Sequence, residues 1–212
     1  MTRNLVRTST STAALLILAG SVLTGCAKVR YPNYYVLTPA PPSPSARSAA
    51  PLAESVEVRP FSAPPFLREG PIVYRQAPRE LSFYDYHRWA EDPRRVATTT
   101  MIQDLDARRI FRSVAPFDGH SSAAFLLTGS LDHLEEVDDG SAVSVQVTIS
   151  AVLRNLKTGD IIWRDTSSKT ALVEQRSVPG IVAEMSRNLG GAIQDLISSM
   201  QNQLRRNSDA GQ

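Results

Sequence analysis

Apolar and polar residues alternate most regularly in the second half of the chain. All odd positions in 143–153 are apolar, and polar residues fill all but one of the even positions between them. Because successive side chains of a strand point to opposite faces, this alternation predicts one long, half-buried strand. An apolar stretch at 124–134 comes before this strand and is separated from it by an Asp-Asp-Gly turn at 138–140. After the strand, a turn at 158–159 leads to a return strand that opens at 161–163. This half of the chain predicts an antiparallel meander with one solvated face.

Two segments carry the signals of helices. Asp92-Pro93 is a good start for the first, because aspartate caps a helix and proline fits the first turn, where its missing N–H costs nothing. That helix is predicted to run to about residue 109. The second is predicted from about 178 to 206, with Ser177 as its cap. Its apolar residues recur at spacings of three and four and predict a stripe that faces a sheet or a partner: Val182, Met185, Leu189, Ile193, Leu196, Met200 and Leu204.

Gly190-Gly191 interrupts the middle of this second helix. Each glycine costs about 1 kcal/mol relative to alanine in a helix interior. The pair therefore indicates the close approach of another backbone or a bend. A tolerated pair on an otherwise well packed helix is an equally good explanation.

The first half adds four shorter strands, at 34–37, 55–59, 72–75 and 80–84. With the helices, they predict an α+β fold: a mixed, largely antiparallel sheet with two helices packed on one face. The Pro- and Ser-rich segment from Pro39 to Pro51 cannot bury a core and favours polyproline II, so we expect it to be an exposed spacer.

The N-terminus has the pattern of a secretory signal. Arg3 and Arg7 precede an apolar run at 13–23, which is too short to cross the ~30 Å hydrocarbon core of a bilayer. Leu23-Thr24-Gly25-Cys26 follows and looks like a lipobox, in which the thiolate of the chain's only cysteine is acylated and the signal is cut before it. The alternative is an ordinary signal with an incidental cysteine. More than one acyl chain at Cys26 would give stable anchoring.

These signals divide the chain into five segments. They are a lipoprotein signal peptide at 1–25, an acylated N-terminus with the first short strand at 26–38, a Pro-rich linker at 39–53, the α+β domain at 54–206 and a disordered tail at 207–212. Two of the 23 Lys and Arg residues lie in the signal, which leaves the mature part near neutrality beside its 21 Asp and Glu residues. This balance gives no electrostatic case for nucleic acid binding.

Signatures of catalysis and of metal binding are missing from the sequence. His87, His120 and His133 are far apart and lack metal-ligand spacing. No nucleophile elbow, phosphate-binding loop or zinc-protease motif occurs, and the acidic turn at 138–140 lacks the remaining ligands of a calcium loop. We therefore expect neither an enzyme nor a metal or cofactor, apart from the covalent lipid on Cys26.

The segment 84–89 combines aromatic side chains with arginine, a composition enriched at interface hot spots. Tyr84, Tyr86 and Arg88 are therefore candidates for a partner interface. The alternative is that Tyr84 and Trp89 pack the first helix onto the sheet, which we favour for Trp89.

Several segments, in their order, carry a family resemblance. The lipobox is followed by a Tyr-Tyr-Val-Leu strand at 34–37, residues 86–93 form a tyrosine–tryptophan–proline segment before the first helix, and Phe-Arg-Ser-Val follows that helix at 111–114. In these features the chain resembles the ABC-type transport auxiliary lipoprotein family, to which PqiC-like lipoproteins belong. The resemblance implies a non-enzymatic subunit of an ABC/MCE-type intermembrane lipid transport system.

The implied partners are an MCE-domain protein with its ABC permease and ATPase. The resemblance also implies that the chain assembles into a ring-like homo-oligomer. Ala27 follows the lipobox where aspartate commonly retains lipoproteins at the inner membrane. By resemblance to enterobacterial sorting, we expect the inner leaflet of the outer membrane, facing the periplasm. The main alternative function is a scaffold or activator of a cell-wall synthase, and a plug for a lipopolysaccharide-assembly barrel is a variant of the transport hypothesis.

Overall fold

The structure is a computed structural model that describes residues 30–41, 51–77, 79–120 and 122–210. The predicted signal, the lipobox and Cys26 lie outside the described residues. Every element below belongs to the compact unit Pro32–Gln212. None of the helices in the described ranges is long and apolar enough to cross a membrane.

Within these ranges the chain forms eight strands and two α-helices, in the order predicted from the sequence. They are β1 (Asn33–Tyr35), β2 (Ala53–Val58), β3 (Pro71–Ala77), β4 (Glu80–Trp89), α1 (Pro93–Arg108), β5 (Phe111–Pro116), β6 (Phe125–Asp138), β7 (Val143–Asn155), β8 (Ile161–Leu172) and α2 (Val178–Ala210). A short 3₁₀ helix, Pro65–Leu67, lies between β2 and β3.

β6 is the central strand of one mixed sheet. β7 pairs antiparallel with β6 from Phe125 to Asp138, and β8 pairs antiparallel with β7, which confirms the predicted meander. The other edge of β6 is shared by two strands that run parallel to it, with β2 beside its first residues and β3 beside its last. Between them, Ser62 forms an isolated bridge with Ser130.

The remaining strands extend the sheet outward from β2 and β3. β5 pairs parallel with β2, β4 pairs antiparallel with β3, and β1 adds a short parallel edge to β4. The parallel pairs are short and the longest pairings are antiparallel, so the fold is α+β with a mixed sheet, as predicted.

The predicted caps and turns are confirmed. The Asp92 side chain accepts a hydrogen bond from Arg94 N at 2.9 Å at the start of α1. Ser177 Oγ accepts from Gly180 N at 3.3 Å in the first turn of α2. In the turn between β6 and β7, Asp139 Oδ1 accepts from Ala142 N at 2.8 Å, so this acidic segment closes a hairpin.

Both helices cover one face of the sheet. α2 packs against β6, β7 and β8, and α1 packs against α2, β5 and β6. The core between them takes the odd positions of β7 and the apolar stripe of α2, as the two periodicities predict. The buried face of α1 is more polar, because it includes Thr98, Thr100, Asp104 and Arg108.

Several boundaries differ from the predictions, three of them at the ends of β1, β4 and α2. β1 ends at Tyr35 rather than Leu37, and β4 continues to Trp89 rather than ending at residue 84. α2 runs to Ala210, so residues 207–210, which we expected to be disordered, are helical. Side-chain hydrogen bonds one turn apart support this last stretch, since Gln203 Nε2 donates to Asn207 Oδ1 at 3.0 Å and Ser208 Oγ donates to Leu204 O at 3.0 Å.

Candidate functional site: strand β1 and the bulge beside it

The part of the chain that follows the predicted anchor is built into the domain. β1 pairs with the end of β4, and Ala90 N donates to Tyr35 O at 2.8 Å. Leu37 is buried in the core. Thr38 N then donates to Ser186 Oγ of α2 at 3.1 Å. The strand expected between the lipid and the spacer therefore joins the sheet, as predicted, and the residues after it cross α2.

Gly190 marks the crossing point. A Cβ atom placed there would lie 3.4 Å from Pro39 Cβ and 3.6 Å from Ala40 N. Of the three explanations left open by the sequence, the structure shows the close approach of another backbone at Gly190, whereas Gly191 faces only a side-chain atom of Lys169. The first residues of the expected spacer, Pro39 and Ala40, therefore pack against the domain rather than extending freely from it, while residues 42–50 lie outside the described part.

An irregularity in β4 separates the three candidate interface residues. The pairs Val73–Phe83 and Pro71–Arg88 enclose one residue of β3 but four of β4, residues 84–87. The extra residues form a bulge, which breaks the alternation of a regular strand. Tyr84, Tyr86 and Arg88 would share one face of a regular strand, but here they have different surroundings.

Tyr84 points into a cluster of polar and aromatic groups. Its hydroxyl donates to Glu136 Oε2 at 2.7 Å, and its ring lies 4.9 Å from that of Tyr74 and 5.4 Å from that of His87, measured between centroids. Burial raises the pKa of Tyr84 well above its ordinary value, and the bond to Glu136 adds to the effect. Tyr84 therefore stays protonated and serves as a donor to the carboxylate.

Burial also raises the pKa of the Glu136 carboxyl, and the nearby charge of Asp138 acts in the same direction. The hydrogen bond from Tyr84 opposes this rise, because it stabilises the charged form. Tyr35 joins the same cluster from β1, with its hydroxyl 2.9 Å from His87 Nδ1. The cluster thus connects β1, the bulge of β4 and the central strand β6.

The other two candidates lie outside this cluster. Arg88 Nη2 donates to Glu69 O at 3.0 Å, so the guanidinium supports the loop before β3. Tyr86 is 42% exposed, and Trp89 is buried in the core, where a packing residue belongs. The structure therefore leaves Tyr86 as the outward-facing member of the three predicted interface residues.

The sequence did not predict the partners of Tyr84 or a half-buried ion pair beside them. Arg75 makes a two-point contact with Glu135, with Nε–Oε1 at 3.1 Å and Nη2–Oε2 at 3.0 Å, and His133 Nδ1 lies 3.1 Å from Oε1. The available signal was the pair of acids, 135 and 136, within an otherwise apolar stretch. Among the described residues, no group of three or more His, Cys, Asp or Glu side chains is arranged to hold a metal.

Comparison with known proteins decides the family. The sequence matches the ABC-type transport auxiliary lipoprotein component over residues 35–196, from the end of β1 to the middle of α2. The chain belongs to this family. The resemblance noted from the strands and the first helix is therefore confirmed, and the chain is a lipoprotein component of the ABC-transport type. No curated protein sequence matches it.

Solved structures agree with the family's fold. A crystal structure of a DUF330 protein from Xanthomonas campestris is similar with a TM-score of 0.71 and 16% identity, over 84% of this chain and 99% of its own. An uncharacterized protein has a TM-score of 0.61 and 13% identity, over 82% and 99%. PelC from Paraburkholderia phytofirmans, solved as a dodecamer, has a TM-score of 0.46 and 15% identity, over 74% and 94%. The first two likenesses support the auxiliary lipoprotein fold.

Proposed function

We propose that this auxiliary lipoprotein is a non-enzymatic subunit of an ABC/MCE-type intermembrane lipid transport system, which docks the MCE-domain component at the outer membrane. The observation that carries the proposal is the family match, which extends over nearly the whole described domain. An auxiliary component needs no ATP site of its own, so the energy for transport would come from a partner ATPase working with the permease.

The anchor proposed at Cys26 would hold the domain close to the membrane. Six residues separate Cys26 from the start of β1 at Asn33. Since an extended chain spans about 3.5 Å per residue, β1 would lie within about 25 Å of the acylated sulfur. We place the anchor in the inner leaflet of the outer membrane, with Leu23, Thr24 and Gly25 forming the cleavage motif before it.

The edge formed by β1 and the bulge of β4 is the proposed docking face. Tyr34 is 63% exposed on β1, where it pairs with Arg88, and Tyr86 is 42% exposed on the bulge. Aromatic and arginine side chains are enriched at protein interfaces, which supports this edge as the contact with the MCE component. Tyr84 would contribute indirectly by holding the bulge against β6.

Site-specific photocrosslinking tests this docking role in cells. A photoreactive amino acid replaces Tyr86 in one strain, and the matched control carries it at Leu172, which is 69% exposed at the end of β8. We expect a crosslink to an MCE-domain protein from position 86 and none from position 172. Crosslinks from position 86 to a wall synthase or an outer-membrane barrel, in place of an MCE protein, would contradict the proposal.

The anchor and the assembly are tested separately. Replacement Cys26→Ser should abolish labelling with radioactive palmitate and move the protein out of the outer-membrane fraction of a density gradient. Retention of the label would disprove acylation at this thiol. We also propose a homo-oligomer, and light scattering of the detergent-solubilised lipoprotein should give a mass several times that of one acylated chain.

A further inference from the structure

Strand β1 pairs along one edge of its backbone and leaves the other edge open. Tyr35 O accepts a hydrogen bond from Ala90 N at 2.8 Å, so Asn33 and Tyr35 are the residues of β1 that bond to β4. In a parallel pair, the residues between such bonded residues direct their main-chain groups to the opposite edge. The N–H and C=O groups of Tyr34, and of Val36 just after the strand, therefore point to the open edge of the sheet.

The same two residues also expose their side chains. Tyr34 is 63% exposed and Val36 is 53% exposed. Their neighbours turn to the other face of the sheet, where the Tyr35 hydroxyl meets His87 and Leu37 enters the core. The open edge therefore presents main-chain donors and acceptors beside an aromatic and an aliphatic side chain. These are the groups that an added strand uses, since main-chain bonds supply affinity and alternate side chains supply specificity.

The other open edges of the sheet are protected against pairing. Within the described residues, β1, β5 and β8 are the strands with a single neighbour. β8 carries Arg164, Asp165 and Lys169, and β5 carries Arg112 and ends at Pro116. Charged residues and proline on an edge strand discourage pairing with another chain. β1 carries neither, so it is the edge that the sequence leaves open to a further strand.

We propose that an extended segment of the MCE-domain partner joins the sheet as a strand beside β1. Its main-chain groups would bond to those of Tyr34 and Val36, and its apolar side chains, two residues apart, would pack beside these two side chains. This inference rests on the docking face proposed above and specifies how that face recognises the partner. A segment with alternating apolar and polar residues fits best, because one face of the added strand meets Tyr34 and Val36.

The short tether proposed before β1 favours a partner segment over a second copy of the chain. Six residues separate Cys26 from Asn33, so each copy would enter β1 from the same membrane. Two copies related by a two-fold axis would pair their β1 strands antiparallel, and one tether would then leave from each end of the pair. A segment of a partner can approach β1 in either direction and meets no such restriction.

Replacement of Val36 by proline tests the strand addition, because proline removes the N–H that faces the open edge and is tolerated on edge strands. The matched control Val36→Thr keeps this N–H and the β-branched shape. Each variant is combined in cells with the photoreactive amino acid at position 86 of the full-length lipoprotein. Val36→Pro should reduce the crosslink to the MCE-domain protein about ten-fold or more, and Val36→Thr by less than about two-fold. Equal crosslinking of both variants would overturn the strand addition and leave the docking role intact.

Amide hydrogen exchange provides a second measurement if Val36→Pro fails to fold. In the wild-type lipoprotein bound to the purified MCE-domain protein in detergent, the Tyr34 and Val36 amides should exchange about ten-fold or more slowly than in the free lipoprotein. Unchanged exchange of both amides would overturn the inference. So would a position-86 crosslink to a second copy of the chain that Val36→Pro abolishes. A crosslink to another class of protein that Val36→Pro abolishes would support strand addition and contradict the transport role.

Discussion

Gly129 in β6 lies against the ring of Phe61, and its replacement by alanine should destabilise the fold. A Cβ atom at this position would lie 2.5 Å from Phe61 Cζ and 2.7 Å from both Cε atoms. An ordinary carbon–carbon contact is about 3.5 Å, so the ring would have to retreat by about 1 Å. Phe61 is 2% exposed and has little space for that movement.

The backbone around Phe61 is held on two sides, which limits any retreat. Phe61 N donates to Thr98 Oγ1 of α1 at 2.9 Å, and the next residue, Ser62, donates from its N to Gly129 O at 2.9 Å. Overpacking of a core costs about 1–3 kcal/mol. Alanine has less conformational freedom than glycine in the unfolded chain, which offsets about 0.5–1 kcal/mol of this cost. We therefore expect Gly129→Ala to lower the free energy of unfolding by about 1–2 kcal/mol.

Urea denaturation provides the assay, with fluorescence of the buried Trp89 and Trp163 as the signal. In a Phe61→Leu background the smaller side chain removes the clash, and Gly129→Ala should then cost less than about 0.5 kcal/mol. The double-mutant cycle should give a coupling energy of about 1 kcal/mol or more. Equal costs of Gly129→Ala in both backgrounds would refute the contact as the cause.

Two further predictions concern the cluster around Tyr84 and the crossing of α2. Burial raises the pKa of Glu136, so its contribution to stability is fully present below its unfolded pKa and is lost as pH rises through the folded pKa. Glu136→Gln should therefore stabilise the protein more at pH 7 than at pH 4 in urea denaturation, and an equal effect at both pH values would contradict this. At Gly190, alanine should fit beside Pro39 and raise the free energy of unfolding by up to about 1 kcal/mol. Leucine there should lower it by about 1–3 kcal/mol, whereas a tolerated leucine would disprove the close crossing.

The regular parts of this fold were predictable because their signals are local. The alternation in β7 and the three- and four-residue spacing in α2 each depend on one segment and its burial against one neighbour. The Asp92 and Ser177 caps likewise depend on a few consecutive residues. These signals determined the order of the strands and helices along the chain.

The candidate site depended on contacts between distant segments and could not be predicted in the same way. Alternate residues share one face only in a regular strand. The bulge at 84–87 makes β4 irregular, so Tyr84, Tyr86 and Arg88 do not share a face. The pairing of both β2 and β3 with one edge of β6 leaves no local pattern in the sequence. The burial of Asp104 also follows from the packing of α1, since the sequence around it reads as an ordinary polar helix face.

Affinity purification from crosslinked membranes tests the proposed transport role most directly. The lipoprotein carries a C-terminal tag, and the recovered proteins are identified by mass spectrometry, with an untagged strain as the control. We expect an MCE-domain protein together with its ABC permease or ATPase. Recovery of cell-wall synthases alone, without any of these transport components, would contradict the proposed transport role.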